Sequence, residues 1–362
     1  MERKPDRGGL HSRQAGRDIL MITDKQLAEI KGFLEKSENP LLFFDDDPDG
    51  LCSYLIFKKF LDRGKGVVIK SSPLLDVPFL RKVQEYSPDV VFILDKPMVS
   101  EDFISQIHVP IVWIDHHSPV EAKGTRYYNP RINNPGAYLP TSYLCYQVVK
   151  QHMWVAMCGC VGDWLIPDFL EEFMEKYPGL VEMTDNPGDI MYKQPLGKLI
   201  RLFAFIMKGQ TSDVNKGISI LSKIDDPYEL VNQTTSRARF VFRKFEKVNK
   251  EYQDLLGKAV KSANDDKLLA FYYPSQKMSF TSELSNELSY IFPDKLIIVG
   301  RKKGDEIRLS MRSKKHKLPL VIEKALEDVE GYGGGHDYAC GGNIKSKDIN
   351  KFVDSLRKQL SL

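Results

Sequence analysis

Hydrophobic and polar positions alternate along this chain in two registers. Thr23-Asp24-Lys25-Gln26 forms a capping box, and Leu27, Ile30, Phe33 and Leu34 follow at helical spacing. Pro40 then precedes a short apolar run, Leu41 to Phe44, that stops at a cluster of acids. Leu51 to Leu61 carries Leu55, Ile56 and Phe60 at helical spacing and leads to Gly64. Val67 to Ile69, Val90 to Leu94 and Ile111 to Ile114 are further short runs rich in β-branched residues, with helical stretches between them. Strands that alternate with helices need crossover connections, so the pattern predicts an α/β chain with a doubly wound parallel sheet.

From about Pro140 to Asn264 the pattern turns helical, over 141–150, 167–177, 196–207 and 213–223. A long amphipathic stretch, Arg237 to Ser262, carries Arg237, Arg239, Arg243, Lys244, Lys247 and Lys250. Strand patterns return at Leu268 to Tyr273, and at Leu296 to Gly300 and Ile307 to Met311, which flank a Lys303-Gly304-Asp305 turn as a hairpin. A helix over about 318–329, a glycine-rich loop, a short strand and a helix over 349–360 complete the pattern. The expected organisation is a disordered leader over 1–22, a catalytic domain over 23–235, a helical linker over 236–264 and a smaller α/β substrate-binding domain over 265–362.

The 362 residues are too many for one compact core and suit two domains. A net charge of +3 gives no global field, so affinity for a polyanion must come from local basic patches. The five cysteines lack framework or zinc-site spacing, and we read them as buried reduced thiols of a cytoplasmic protein. No apolar run is long enough to span a bilayer. The basic first twenty residues lack the apolar core of a secretory signal. His108 and His152 read as structural, and Trp113, Trp154 and Trp164 as core.

Candidate chemistry gathers where the apolar runs end. In an open parallel sheet, ligands bind beyond the carboxyl ends of the strands. One run ends in Asp45-Asp46-Asp47-Pro48-Asp49-Gly50, the next in Asp95, the third in Asp115-His116-His117. Asp45, Asp47 and Asp49 alternate, so in an extended segment all three project to one side, and Gly50 permits a tight turn into the helix. Such clustered carboxylates need a cation, and oxygen ligands with imidazole suit Mn²⁺ or Mg²⁺.

These motifs, in this order, resemble the DHH phosphoesterase family. A fourth, Gly159-Cys160-Val161-Gly162-Asp163, follows a helix at the expected place. Gly333-Gly334-Gly335-His336-Asp337-Tyr338-Ala339-Cys340-Gly341-Gly342 is similar to the signature of the DHH-associated substrate-binding domain, and Ser310-Met311-Arg312-Ser313 to the strand upstream of it. The resemblance implies two divalent ions, Mn²⁺ or Mg²⁺. Asp45, Asp47 and Asp95 would hold one, and Asp49, Asp95, His116 and Asp163 the other. It also implies that His117 contacts the scissile phosphate, with Asp115 orienting a histidine. Arg308, Arg312, Ser313, Gly333, Gly334, Gly335 and His336 would hold substrate, with Tyr338 available for stacking on a base.

Aspartate at position 45, where the small nano-RNases carry histidine, favours the RecJ-like side of the family, and the length favours its compact archaeal members. The implied activity is a two-metal exonuclease on single-stranded DNA or RNA, with replication or repair proteins as further partners. The alternatives are a nano-RNase or cyclic-dinucleotide phosphodiesterase acting on very short substrates, and a silent Cdc45-like replisome scaffold. The filled ligand positions argue against the scaffold, and the glycine-histidine segment argues against a family II pyrophosphatase.

Overall fold

The structure, a computed structural model, describes residues 22–70, 73–275 and 278–362. Most of the leader expected over 1–22, His11 included, lies outside the described residues. By its internal contacts the chain divides into two units: one runs to Met207 and resumes over Lys216–Ala238, the other comprises Lys208–Asn215 and Arg239–Leu362. The greater part of the helix expected to link two domains therefore belongs to the second unit.

The first unit opens with α1 (Asp24–Lys36), whose capping box is formed as the sequence predicts. Then come β1 (Pro40–Asp45), α2 (Pro48–Leu61), β2 (Lys65–Ile69), β3 (Leu74–Leu75), α3 (Leu80–Tyr86), β4 (Val90–Leu94), β5 (Met98–Val99), α4 (Glu101–Ser105), β6 (Ile111–Ile114) and β7 (Arg126–Tyr128). β3 pairs with β5 as a small ribbon. The main sheet has the order β2-β1-β4-β6-β7, and every pairing in it is parallel. Because these strands are buried on both faces, their sequences are continuous apolar runs. One face carries Leu41, Phe43, Val91, Ile93 and Trp113 into a core with Leu80, Phe103 and Ile104. On the other, Phe44 stacks on Tyr54 of α2 and Phe92 meets Phe57. The sheet is thus doubly wound, and the strand order reverses between β1 and β4.

The helical region of this unit holds α5 (Thr141–Val149), α6 (Met153–Gly162), α7 (Leu170–Lys176), α8 (Pro187–Lys193), α9 (Pro195–Ile206), α10 (Thr211–Leu221), α11 (Pro227–Val231) and the start of α12 (Ser236–Lys261). Helix α6 escaped the periodicity reading because its sequence, MWVAMCGCVG, is buried almost all round. Trp113 and Trp154 are core residues, but Trp164 is half-buried, with a positive φ of 61° at the turn after α6. All five cysteines are buried and unpaired.

In the second unit, β8 (Leu268–Pro274), α13 (Thr281–Ile291), β9 (Leu296–Lys303), β10 (Glu306–Arg312), α14 (Pro319–Leu326), β11 (Gly331–His336), β12 (Ala339–Lys345) and α15 (Ile349–Leu360) follow α12. The sheet order is β11-β12-β10-β9-β8, with the predicted β9–β10 hairpin in place. Leu268, Ile298, Leu309 and Met311 pack with Ile322, Phe352 and Leu356 of α14 and α15 into a separate core. One expectation is corrected here. The glycine-rich segment is not a loop but the edge strand β11, because β12 supplies the backbone partners that its own glycines could not predict.

Candidate metal centre

The carboxyl ends of β1, β4 and β6 deliver the acids to the crevice where the strand order reverses, the expected ligand position of a doubly wound sheet. Asp45 ends β1, and Asp95 follows β4 with a φ of 60°, a left-handed conformation that aspartate tolerates better than most residues. Its amide donates to the Ile114 carbonyl at 2.9 Å, which ties it to the end of β6.

The local path through 45–50 differs from the expectation. The segment does not stay extended: Asp47 is the N-cap of α2, accepting from the Gly50 amide at 2.9 Å, and Asp49 already lies in the first helical turn. Asp45, Asp47 and Asp49 converge through this strand-to-helix turn rather than by strand alternation. Gly50 is required by close approach, since a Cβ there would lie 2.7 Å from the backbone nitrogen and oxygen of Asp45.

Asp49 is almost fully buried. Its Oδ2 accepts from the Thr141 amide at 2.7 Å and its Oδ1 from the Ser142 amide at 2.9 Å, and the Ser142 hydroxyl also donates to it. Helix α5 has no side-chain cap of its own at Pro140, so a carboxylate from α2 occupies its N-terminus instead. Thr141 Oγ1 donates to Asp95 Oδ1 at 3.2 Å. Asp163 caps the C-terminus of α6, and Tyr138 Oη donates to its Oδ2 at 3.2 Å.

Three overlapping sets of potential metal ligands result: Asp45, Asp47 and Asp95; Asp49, His116 and Asp163; and Asp95, His116 and His117, with each set's donor atoms within 4.8 Å of one another. His116 Nε2 lies 3.3 Å from Asp95 and its Nδ1 lies 3.7 Å from Asp163. His117 Nδ1 lies 2.8 Å from Asp115 Oδ1. The other oxygen of Asp115 accepts from the His117 amide at 3.1 Å and from Asn129 Nδ2 at 3.2 Å. Asn129, Thr141 and Ser142 were not among the sequence candidates, since small polar residues after a strand or before a helix carry no distinguishing pattern. Lys96, wholly buried with its Nζ 2.8 Å from Asp45 Oδ1, was not among them either.

The electrostatics are those of a site built for cations. Burial, then Asp45 and Asp49, push Asp47 up to about 7. Burial, then Asp49, raise Asp95 and Asp163 well above the ordinary carboxylate range. Burial lowers His116 and so favours the neutral, ligating imidazole. Burial also pulls His117 down, but its bond to Asp115 outweighs that and raises it. Asp95 Oδ2 and His116 Nδ1 are buried without a hydrogen-bond partner. Buried polar atoms rarely stay unsatisfied, so this donor set of carboxylate oxygens and imidazole fits divalent ions.

In the second unit, Arg308, Ser310 and Arg312 share one face of β10, opposite Asn343, Gly341 and Ala339 of β12, which in turn oppose Tyr332, Gly334 and His336 of β11. Nothing lies within 4 Å of a Cβ built on Gly334, so Gly334 and Gly341 make a bare backbone floor flanked by cationic and aromatic side chains. Gly333 and Gly335 alternate to the opposite face, where a Cβ would crowd β12. Arg312 already donates to Asn286 at 2.6 Å, Ser282 at 3.2 Å and the Met311 carbonyl at 2.9 Å, which fixes its plane. Ser313 is buried, and its Oγ accepts from the Lys315 and His316 amides, so its hydroxyl is committed to that turn. Tyr332 and Tyr338 are exposed, the former at 68%. Tyr332 and Asn343 join this face only through strand register, which the sequence alone did not reveal.

Residues 265–362 match the DHHA1 domain. No curated protein matches the chain by sequence. Among solved structures, RecJ from Thermus thermophilus in complex with Mn²⁺ is similar at a TM-score of 0.67 and 13% identity, over 95% of this chain and 56% of that one. The chain thus spans little more than half the length of that protein. An exonuclease RecJ bound to manganese is similar at 0.53 and 14% identity, over 94% of this chain and 96% of the other. A pGpG-specific phosphodiesterase, PggH from Vibrio cholerae, is similar at 0.51 and 14% identity, over 90% and 99%. The chain carries a C-terminal DHHA1 domain and has the RecJ-like fold of the DHH-family phosphoesterases.

Proposed function

We propose that this protein is a metal-dependent phosphodiesterase that hydrolyses single-stranded DNA or RNA from an end. The observation that carries the reading is the convergence of Asp45, Asp47, Asp49, Asp95, His116 and Asp163 on one crevice, with buried oxygen and imidazole donors left unsatisfied. Two divalent ions held there would supply Lewis acidity toward water and neutralise charge on the scissile phosphate. The chain's own residues supply position. The α5 N-terminus holds the Asp49 carboxylate, and Asp115 holds His117 Nδ1 so that Nε2 is the ring atom left to meet a phosphate oxygen. Because His117 is raised by Asp115, it favours the protonated form that donates to an anion.

The bare strand floor with Arg308, Arg312, Tyr332 and His336 is read as the nucleic-acid contact of the second unit, with backbone amides and guanidinium toward phosphate and rings toward bases. Aspartate rather than histidine at position 45 favours the RecJ-like reading. The likeness to the pGpG-specific phosphodiesterase supports a second reading, in which only very short substrates are cleaved. The test is a chain-length series of DNA and RNA oligonucleotides, labelled at either end, with Mn²⁺ or Mg²⁺. Stepwise shortening of long strands supports the exonuclease, and turnover confined to two to five nucleotides supports the second reading. No hydrolysis of any length with either metal would sink both.

A further inference from the structure

The Asp95–Lys96 peptide brings an ammonium into the carboxylate cluster. Successive residues of a strand point to opposite faces, but the positive φ at Asp95 breaks that alternation, and both side chains reach the crevice. The Lys96 carbonyl accepts from Trp113 Nε1 at 2.9 Å, with both side chains wholly buried, so the position is held from the core. Its Nζ donates to Asp45 Oδ1 at 2.8 Å. A buried ammonium stays with its carboxylate because separation leaves an uncompensated charge. Asp45 belongs to one ligand set, with Asp47 and Asp95, and the ammonium is bonded on that side. In the Asp49, His116 and Asp163 set, the carboxylates accept instead from amides and hydroxyls, which carry no formal charge.

We propose that Lys96 is a built-in counter-ion that makes the two ligand sets unequal, so that the Asp49–His116–Asp163 set holds its divalent ion tightly and the Asp45–Asp47–Asp95 set holds a second ion weakly. This rests on the metal-dependent reading above. A divalent ion on the Asp45 side meets a like charge already bonded to one of its ligands. Asp45 keeps a second oxygen for coordination, so that set is weakened rather than lost. A substrate phosphate brings negative charge to offset the ammonium, and the second ion loads with substrate.

The experiment is Mn²⁺ titration calorimetry on the metal-stripped full chain, with bound ions counted by electron paramagnetic resonance. Wild type should show two classes whose Kd values differ by about tenfold or more. Lys96→Met should tighten the weak class by about tenfold or more and leave the tight class alone, whereas Lys96→Arg should keep them apart. Asp45→Asn leaves the lysine intact and should abolish only the weak class, which serves if the methionine variant does not fold. Two equal classes in wild type, an unmoved weak class in Lys96→Met, or loss of the tight class in Asp45→Asn would each overturn the inference. Equal classes leave the metal-dependent reading standing, whereas no Mn²⁺ binding to wild type removes both.

Discussion

Asp95 shows how much a single side chain can control in this crevice. It lies between two ligand sets, it is wholly buried, and one of its oxygens has no hydrogen-bond partner. Asp95→Ala should lower turnover at least about a hundredfold, because both sets lose a donor. The same change should leave the metal-free chain folded and raise its melting temperature at neutral pH, since a repelled, desolvated carboxylate is gone. A melting temperature that falls by about ten degrees or more would contradict this account. The pH dependence follows from the same groups. Asp47, Asp95 and Asp163 bind protons more tightly in the folded metal-free chain than when unfolded. Their contribution to stability is therefore fully present below the ordinary carboxylate range and is lost as pH rises, for Asp47 through about 7. Mn²⁺ binds the deprotonated carboxylates, so the rise in melting temperature that it confers should grow between about pH 5 and 7.5. Melts at matched pH with and without Mn²⁺ check the sign.

Elements place these residues. The β1–α2 turn works only with glycine at 50, and Gly50→Ala should cost about 1–3 kcal/mol while displacing Asp45 enough to weaken Mn²⁺ binding. Thermal melts and calorimetry on one preparation would show whether the two losses go together. The edge strand β11 behaves oppositely. Gly334 faces open space, and valine suits a strand, so Gly334→Val should keep the fold. It should nonetheless weaken oligonucleotide binding by about tenfold, since a side chain then stands where a backbone must approach a phosphate. Unchanged binding, read by fluorescence anisotropy, would make that floor a structural turn and edge only.

At the scale of the whole molecule, each unit has its own sheet and its own core. Residues 239–362 expressed alone should therefore melt cooperatively and bind single-stranded oligonucleotides without cleaving them. A fragment that shows no cooperative melt would mean that the core of α14, α15 and the second sheet depends on the rest of the chain. In the intact protein, chelation should abolish hydrolysis, and Mn²⁺ should restore it better than Zn²⁺ or Ca²⁺, because the donor set is mostly carboxylate oxygen in a compact arrangement. Full rates with Ca²⁺ alone would count against that donor set. Among the described residues no helix is long and apolar enough to cross a membrane.

The sequence by itself determined the apolar strands of the first sheet, the capping box of α1, the β9–β10 hairpin and the acids at strand ends. Each of these rests on local periodicity or on a residue type with a single dominant physical use. Tertiary structure decided the rest. The burial of α6 on all sides erased its period. The pairing of β11 with β12 turned glycines with no strand preference into a strand, and register alone brought Tyr332 and Asn343 beside Arg308. Most consequentially, the turn at Asp47, the left-handed Asp95 and the N-terminus of α5 brought Lys96, Thr141 and Ser142 into the acidic crevice. No spacing encodes those contacts, because they depend on which strand ends become neighbours once the sheet is assembled.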